Sequence, residues 1–451
     1  MRFTSIHITV PVQVHMIDTH AIHHTHTICP FTAGYAMNLL SGLLIAEVAI
    51  NQYEASPTSE VPSSFKEFAD VNLQSKLAGN CISAIALFIN TCVLSFDLVR
   101  AGEMMSQAIT NNDALKPIFS QELLNGLSSG NAGLFASAAF FTALVATQSG
   151  AVLSGIASVC CITLFCCFAG LVVPGLAMIQ DPLATFTAQG TSAFGSEVFM
   201  HDISTFVPVL LTSMVYQNIV PTITKMLNYD RKQTVMAITL GSGIPMIMYL
   251  AFCFTVLGGG AVAGAGNGSM FLNGIMASSV FGSAMACVIS VSEELDCYFV
   301  PPKDPECETD DSSIASAAPV VTNDDTASFP SVVMGVAPPL MAGVYFSGGD
   351  GFVQALSISG SYGTPLLYGV VPVILAFTQR TAILNALKGN SAVENAKTIF
   401  DSIMSNDTDK DKQVVPGGMV SIGALAAAAG TLMSTHLMED LSSLVASTAT
   451  M

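Results

Sequence analysis

Long uncharged stretches separated by short charged ones dominate the hydrophobic pattern of this chain. Most of these stretches are long enough for a helix of about 20 apolar residues, which is the length that crosses a lipid bilayer. They lie at residues 27–46, 77–96, 123–180, 203–224, 233–292, 326–349, 351–379 and 413–438.

Two of the stretches, 123–180 and 233–292, are long enough for two helices each. The first has a polar dividing point at residues 147–150, and the second has a glycine-rich one at residues 258–268. The pattern therefore predicts an all-α integral membrane protein that crosses the bilayer with about ten helices.

The composition agrees with a membrane protein. Charged residues make up 10% of the chain, against roughly 25% in ordinary soluble domains. The net charge of −18 argues against nucleic acid as a partner. Most of the eleven cysteines fall inside the predicted spans, so no disulfide framework is expected.

The charge distribution predicts an orientation and a division of the chain. If the first span runs from outside to inside, eleven of the fourteen basic residues lie on the inner side, as the positive-inside tendency requires. A transmembrane domain is expected over 28–439, with two long inner loops, an acidic disordered one at 293–328 and another at 380–412. The tails would be a histidine-rich disordered segment at 1–27 and a C-terminal segment at 440–451. No metal site or cofactor is predicted, because the histidines lack ligand partners at fixed spacing.

The stretch between Pro208 and Pro221 carries polar residues at the centre of an uncharged span. Polar groups at membrane depth usually mark the path of a solute. Prolines and small polar residues can loosen a helix in mid-bilayer, which is tolerated only where the freed backbone groups face protein or water. This span therefore predicts a transporter.

Several motifs in this order resemble the aromatic amino acid permease family, the tyrosine and tryptophan permeases of the amino acid–polyamine–organocation superfamily. The likeness extends from about Gly34 to Glu439. Its motifs are SGLLIAE at 41–47, FVPVLLTSMVYQNIVP at 206–221, ITLGSGIPMIMY at 238–249, ALSISGSYGTPLLYGVVP at 355–372 and VPGG at 415–418.

The resemblance implies the leucine-transporter fold, in which two five-helix repeats of opposite topology each begin with a helix unwound around the solute. The 208–221 span matches the sixth family helix, the first of the second repeat. The first family helix, which should precede Ile28, is missing from residues 1–27. We expect a truncated start of a working carrier, and a degenerate relative is the alternative.

The resemblance implies a sequence of the type Thr-Ser-Phe-Gly-Phe-His in the sixth family helix. This chain departs from that pattern at two positions. Val215 replaces the glycine, which predicts a backbone that is harder to open. Gln217 replaces the histidine, which removes a group that titrates near neutral pH. The predicted substrate-binding residues are Thr212, Ser213, Met214, Tyr216, Gln217, Asn90 and Ser279, and the alternative is that their side chains bond to neighbouring helices.

Two carboxyl groups, those of Glu47 and Asp97, lie near the ends of predicted spans. Glu47 occupies a position that the family also fills with glutamate, and it is the candidate for proton coupling, although a solvated or paired carboxylate is the alternative. Asp97 and Arg100 are three residues apart and are expected to form an ion pair.

These features predict a secondary transporter of amino acids, aromatic ones first, coupled to protons and working by alternating access. Its partners would be the amino acid, protons and the lipid bilayer. The alternative is a sensor that binds an amino acid without transporting it. An enzyme is not expected, because neither His-Glu-x-x-His nor Gly-x-Ser-x-Gly occurs in any span.

Overall fold

A computed structural model describes most of the apolar stretches. The described residues are 24–55, 64–111, 131–179, 207–208, 210–259, 268–299, 328–345, 356–388, 415 and 418–449. Within these ranges the chain is helical apart from short turns and breaks, and it contains no β-strand.

Eleven α-helices are numbered in chain order. Their bounds are α1 His24–Ala55, α2 Phe65–Leu73, α3 Lys76–Asn111, α4 Asn131–Thr147, α5 Gly150–Met178, α6 Val220–Met226, α7 Arg231–Gly259, α8 Gly268–Phe299, α9 Phe329–Tyr345, α10 Val371–Lys388 and α11 Gly418–Ala449. A shorter helical stretch before α6, at residues 207–208 and 210–213, is interrupted before α6 begins. Two wide π-helical segments, Ser359–Gly363 and Pro365–Val370, lead directly into α10.

The helices coincide with the apolar stretches of the sequence. Among the described residues, seven helical stretches are long and apolar enough to cross a membrane, and α4 and α9 are two shorter apolar helices. The predicted division at 147–150 is present, because α4 ends at Thr147 and α5 begins at Gly150. Likewise α7 ends and α8 begins within the predicted glycine-rich division.

Several helices run further than the predicted domain and loop boundaries. α1 begins inside the predicted tail, α8 and α10 extend into the two predicted inner loops, and α11 continues through the predicted C-terminal tail. A helix of 32 residues is about 48 Å long and exceeds the hydrocarbon core of about 30 Å, so its ends reach the polar interface, where charged residues are tolerated. The rest of the predicted tail and loops lies outside the described residues.

A specific contact joins the two borders of the predicted inner loop 293–328. The Asp296 carboxylate accepts hydrogen bonds from the backbone N–H of Ser328 at 3.3 Å and from its hydroxyl at 2.5 Å. Because Ser328 directly precedes α9, this contact ties the end of α8 to the start of the next helix.

The chain divides into two compact units. The first comprises Met1–Ile89, Ala169–Ser269 and Gly349–Met451, and the second comprises Asn90–Phe168 and Met270–Gly348. In the first unit α1 is central: it packs against α6, α7, α10 and α11 and against the second π-helical segment. Its Leu44 and Ile45 are fully buried in the main apolar cluster.

The second unit contains the later part of α3, α4, the first part of α5, most of α8, and α9. Its apolar cluster is built around Leu94, Leu98, Phe141 and Val288. α3 and α4 approach closely where two glycines face each other, since a Cβ added to Gly102 would lie 2.5 Å from the carbonyl carbon of Gly133. Small residues at such crossings let helices pack tightly in membranes.

Replacing Gly102 by valine is expected to destabilise the protein by about 1–3 kcal/mol, because the added side chain overpacks the crossing against backbone atoms. Thermal unfolding of the purified protein, followed by loss of helical circular dichroism, measures the effect. Gly155→Val in the same unit is the matched control, since nothing lies within 4 Å of a Cβ at that position. Equal melting of the two variants would contradict the tight crossing.

Candidate functional site: an interrupted helix in the first unit

The helix between the two prolines is broken near its middle. Residues 207–208 and 210–213 are helical, residues 214–216 are not, a tight turn follows at Gln217–Ile219, and α6 then begins at Val220. Pro221 lies in the first turn of α6, where its missing N–H costs nothing, but it cannot continue a helix from the preceding turn. The break lies within 212–217, where the sequence predicts a loosened backbone.

The interruption leaves backbone carbonyls exposed to new partners. The N–H of Val215 donates only to the near carbonyl of Thr212, at 3.3 Å, and the N–H of Tyr216 turns to a side chain. Within the described part of the chain, the carbonyls of Ser213, Met214 and Val215 therefore accept no bond from a following helical turn. Carbonyls released in this way are acceptors for a bound cation or amine.

Val215 does not prevent the opening, contrary to the difficulty predicted from its sequence. Among the described residues, positive φ angles outside glycine occur at Gln74, Asn228 and Tyr229 but not at Val215. The backbone thus opens through conformations that a β-branched residue adopts readily. A glycine is not required at this point.

Gln217 holds the opened strand in place. Its side chain is fully buried, its Oε1 accepts the N–H of Tyr216 at 2.9 Å, and its Nε2 donates to Oδ1 of Asn38 at 2.7 Å. These two bonds fix the orientation of both side-chain amides, because the Oε1 of Gln217 can only accept a hydrogen bond and its Nε2 can only donate one. Asn38 therefore presents its oxygen to Gln217 and keeps its Nδ2 donor available.

Two polar atoms on α1 lack partners close to this contact. The Nδ2 of Asn38 and the hydroxyl of Ser41, three residues further along α1, are both buried and have no hydrogen-bond partner in the described part of the chain. A buried polar group without a partner costs about 1–3 kcal/mol, so such groups call for an explanation. Both are donors, and both lie on the helix that Gln217 contacts.

Tyr216 packs against the same part of α1. Its hydroxyl donates to the backbone carbonyl of Asn38 at 3.1 Å and lies beside Ser242 of α7. A Cβ added to Gly42 would lie 2.6 Å from this hydroxyl oxygen, so only glycine admits the ring here.

The π-helical segments form another side of the site. A Cβ added to Gly360 would lie 1.9 Å from the carbonyl oxygen of Pro208 and 2.7 Å from the hydroxyl of Thr212. Further along, the hydroxyl of Tyr368 hydrogen-bonds to Asn218. The wide segment thus contacts the interrupted helix both before and after its break, and π-helical turns occur frequently at functional sites.

The structure brings five of the predicted site residues together on the interrupted helix. Thr212 is buried and donates to the Pro208 carbonyl at 3.1 Å, whereas Ser213 is exposed and donates to the Leu210 carbonyl at 2.8 Å. Met214 is half-buried. Tyr216 and Gln217 make the contacts with α1 described above.

The other two predicted site residues, Asn90 and Ser279, belong to the second unit. Asn90 is buried on α3. Ser279 is exposed on α8, while its neighbour Ser278 is buried and donates to the Gly274 carbonyl at 2.5 Å. Their substrate-binding roles stay predictions.

Glu47 forms a buried ion pair, and a paired carboxylate was the alternative to its role in proton coupling. Both carboxylate oxygens accept bonds from the Arg380 guanidinium, at 2.7 and 2.8 Å, and the backbone N–H of Val415 donates to the same carboxylate at 3.2 Å. The two side chains are 1% and 8% exposed. Arg380, placed by the sequence in a loop, is thus a buried anchor between α1 and α10.

The sequence did not point to Asn38, to Gly42, to Ser359 of the first π-helical segment or to Thr364, which lies between the two segments. Among the described residues, the buried hydroxyls of Ser359 and Thr364 also lack hydrogen-bond partners. A single asparagine in an otherwise apolar span was the available signal for Asn38. For Ser359 and Thr364, the signal was the run of small polar residues and glycines at 357–364.

A comparison with known protein families gives a match that covers the candidate site. The sequence model of the tryptophan/tyrosine permease family matches residues 17–286, which is more than half of the chain. The matched stretch includes α1, the interrupted helix and α7. No curated protein sequence matches the chain.

Proposed function

The chain belongs to the tryptophan/tyrosine permease family, and from this membership we propose that it carries tyrosine or tryptophan across a membrane together with protons, by alternating access. Membership of this permease family and the long apolar helices make the chain an integral, multi-pass membrane protein of amino acid transport. The particular substrate and the coupling ion are the proposal.

The observation that carries the proposal is the opened backbone at 214–216 beside unpartnered donors on α1. An amino acid has an ammonium group, which needs acceptors, and a carboxylate, which needs donors. The free carbonyls of Ser213, Met214 and Val215 suit the ammonium group. The Nδ2 of Asn38 and the hydroxyl of Ser41 suit the carboxylate.

The apolar residues next to the break suit an aromatic side chain. Met214 packs with Tyr35, Tyr249 and Leu250 around the buried pair Leu210 and Met246. Aromatic rings pack favourably against one another and against methionine sulfur. An indole or phenol ring of the substrate would replace part of this packing when it binds.

The five predicted residues of the interrupted helix are proposed to line the substrate site, and they are Thr212, Ser213, Met214, Tyr216 and Gln217. The main proposed role of Gln217 is to hold the open backbone against α1. For Asn90 and Ser279, which belong to the second unit, substrate binding stays a prediction. The proton-coupling role of Glu47 stays a prediction, and its bidentate pair with Arg380 supports an anchoring role instead.

Uptake into proteoliposomes tests the proposal. The purified protein is reconstituted, and labelled tyrosine and tryptophan are supplied with the outside more acidic than the inside. We expect accumulation of at least one of the two, abolished when a protonophore collapses the gradient. Saturable binding with no uptake in either direction would overturn transport and favour a sensor.

A further inference from the structure

A buried carboxyl group on α3 has no ionic partner among the described residues. Asp97 of α3 is 3% exposed, and its Oδ2 atom has no hydrogen-bond partner. The Asp97 carboxyl group forms a hydrogen bond with the hydroxyl of Ser283 on α8. The predicted ion pair between Asp97 and Arg100 is wrong.

Arg100 is occupied elsewhere. Its Nη1 atom pairs with the Glu103 carboxylate at 2.5 Å, and its guanidinium lies 5.9 Å from the ring centroid of Phe96. Among the described residues, no lysine, arginine or histidine lies within ion-pair distance of Asp97. A helix offset of three residues thus did not suffice to form the predicted pair, because Glu103 competes for the same guanidinium.

The other titratable groups near Asp97 are few. Cys287 is its neighbour on α8, and Cys92 lies five residues earlier on its own helix. Of the other helices in the second unit, α4 contains no titratable group and α9 contains only Tyr345 at its end, while the part of α5 in this unit carries four cysteines and no charged residue. Among the residues that the structure describes, no basic side chain pairs with Asp97 to compensate a negative charge.

Burying an uncompensated carboxylate is so costly that the group instead takes up a proton. As a neutral acid, Asp97 keeps one O–H donor and can still accept the Ser283 hydroxyl. Hard metal cations require about six oxygen ligands, and the described surroundings supply one hydroxyl and one thiol. A proton is therefore the cation that this site fits.

Asp97 also lies near Asn90, a residue that the sequence predicts to bind substrate. It follows Asn90 by seven residues, which places the two on the same face of α3, about 10 Å apart along the axis. Leu94 lies between them and is fully buried. A carboxyl group at this distance from a solute-lining residue can take up or release a proton without touching the solute.

On these grounds, and resting on the proposed transport function, we propose that Asp97 binds and releases the coupling proton. The carboxylate takes a proton from the acidic side to become a neutral acid. It loses the same proton to the other side, so that one proton crosses the membrane in each loaded cycle.

Asp97→Asn tests this role, because the amide imitates the neutral acid but cannot release a proton. The variant and the wild type are reconstituted and assayed for two activities with labelled tyrosine and tryptophan. The first is accumulation driven by a pH gradient of one unit, which one coupled proton supports up to about tenfold. The second is counterflow, the exchange of external label for internal substrate without a gradient.

For Asp97→Asn we expect the accumulation ratio to fall to about 1, while counterflow falls by less than about threefold. Asp97→Glu should recover pH-driven accumulation. The exposed Asp230→Asn serves as the control for loss of a carboxylate and should accumulate substrate like the wild type.

Wild-type accumulation by Asp97→Asn would overturn the inference and leave the transport function standing. Equal loss of accumulation and counterflow in a normally folded variant would also overturn it, because it would mark a positioning role. If the wild type performs neither activity, the proposed function and this inference fail together.

Discussion

Replacing Arg380 by alanine is expected to lower the free energy of unfolding by about 3–5 kcal/mol, because it leaves the Glu47 carboxylate buried without its cation. The Glu47 side chain is 1% exposed and receives two bonds from Arg380. The remaining bond from the Val415 N–H cannot neutralise the charge. Loss of helical circular dichroism on heating in detergent measures the change.

Two controls separate this burial effect from the mere loss of an arginine. Arg231→Ala removes an exposed pair with Glu54, so it should cost no more than about 1 kcal/mol. The double variant Glu47→Leu with Arg380→Met replaces the pair by apolar groups and should melt well above Arg380→Ala. If Arg380→Ala melts together with Arg231→Ala, the buried anchor is refuted.

Replacing Gly360 by alanine is expected to reduce transport at least about tenfold, a loss equivalent to about 1.4 kcal/mol. The new methyl group would lie 1.9 Å from the Pro208 carbonyl oxygen, so the π-helical segment must move away from the interrupted helix. That movement displaces the helix just before its break. Uptake of labelled tyrosine and tryptophan into proteoliposomes measures the loss.

The matched control is Gly423→Ala on α11, where nothing lies within 4 Å of an added Cβ. It should transport like the wild type and appear in the membrane in equal amount. Wild-type uptake by Gly360→Ala would show that the close contact between the two segments is not needed for transport.

The sequence predicts the spans well because each depends on a local property, the run of uncharged apolar residues that fills a bilayer. It also predicts the break between Pro208 and Pro221, since prolines and polar residues act on the helix that contains them. The ends of α8 and α10 were placed too early. Charged residues such as Asp296 and Arg380 look like loop residues until their partners are known.

The partners themselves could not be predicted from one sequence. Gln217 contacts Asn38 across 179 positions, and Arg380 contacts Glu47 across 333. Such pairs depend on how helices pack, which composition and periodicity do not determine. The same limit explains Asp97, for which the nearest basic residue along the helix was the wrong partner.

The central claim is that an amino acid binds at the interrupted helix, with Gln217 bracing the open backbone against α1. Equilibrium binding of labelled tyrosine and tryptophan to purified Gln217→Leu tests it most directly, with the exposed Gln107→Leu as the control for the same exchange. We expect binding at least about tenfold weaker in Gln217→Leu alone, at an unchanged helical content. Wild-type affinity in a folded Gln217→Leu would contradict the claim.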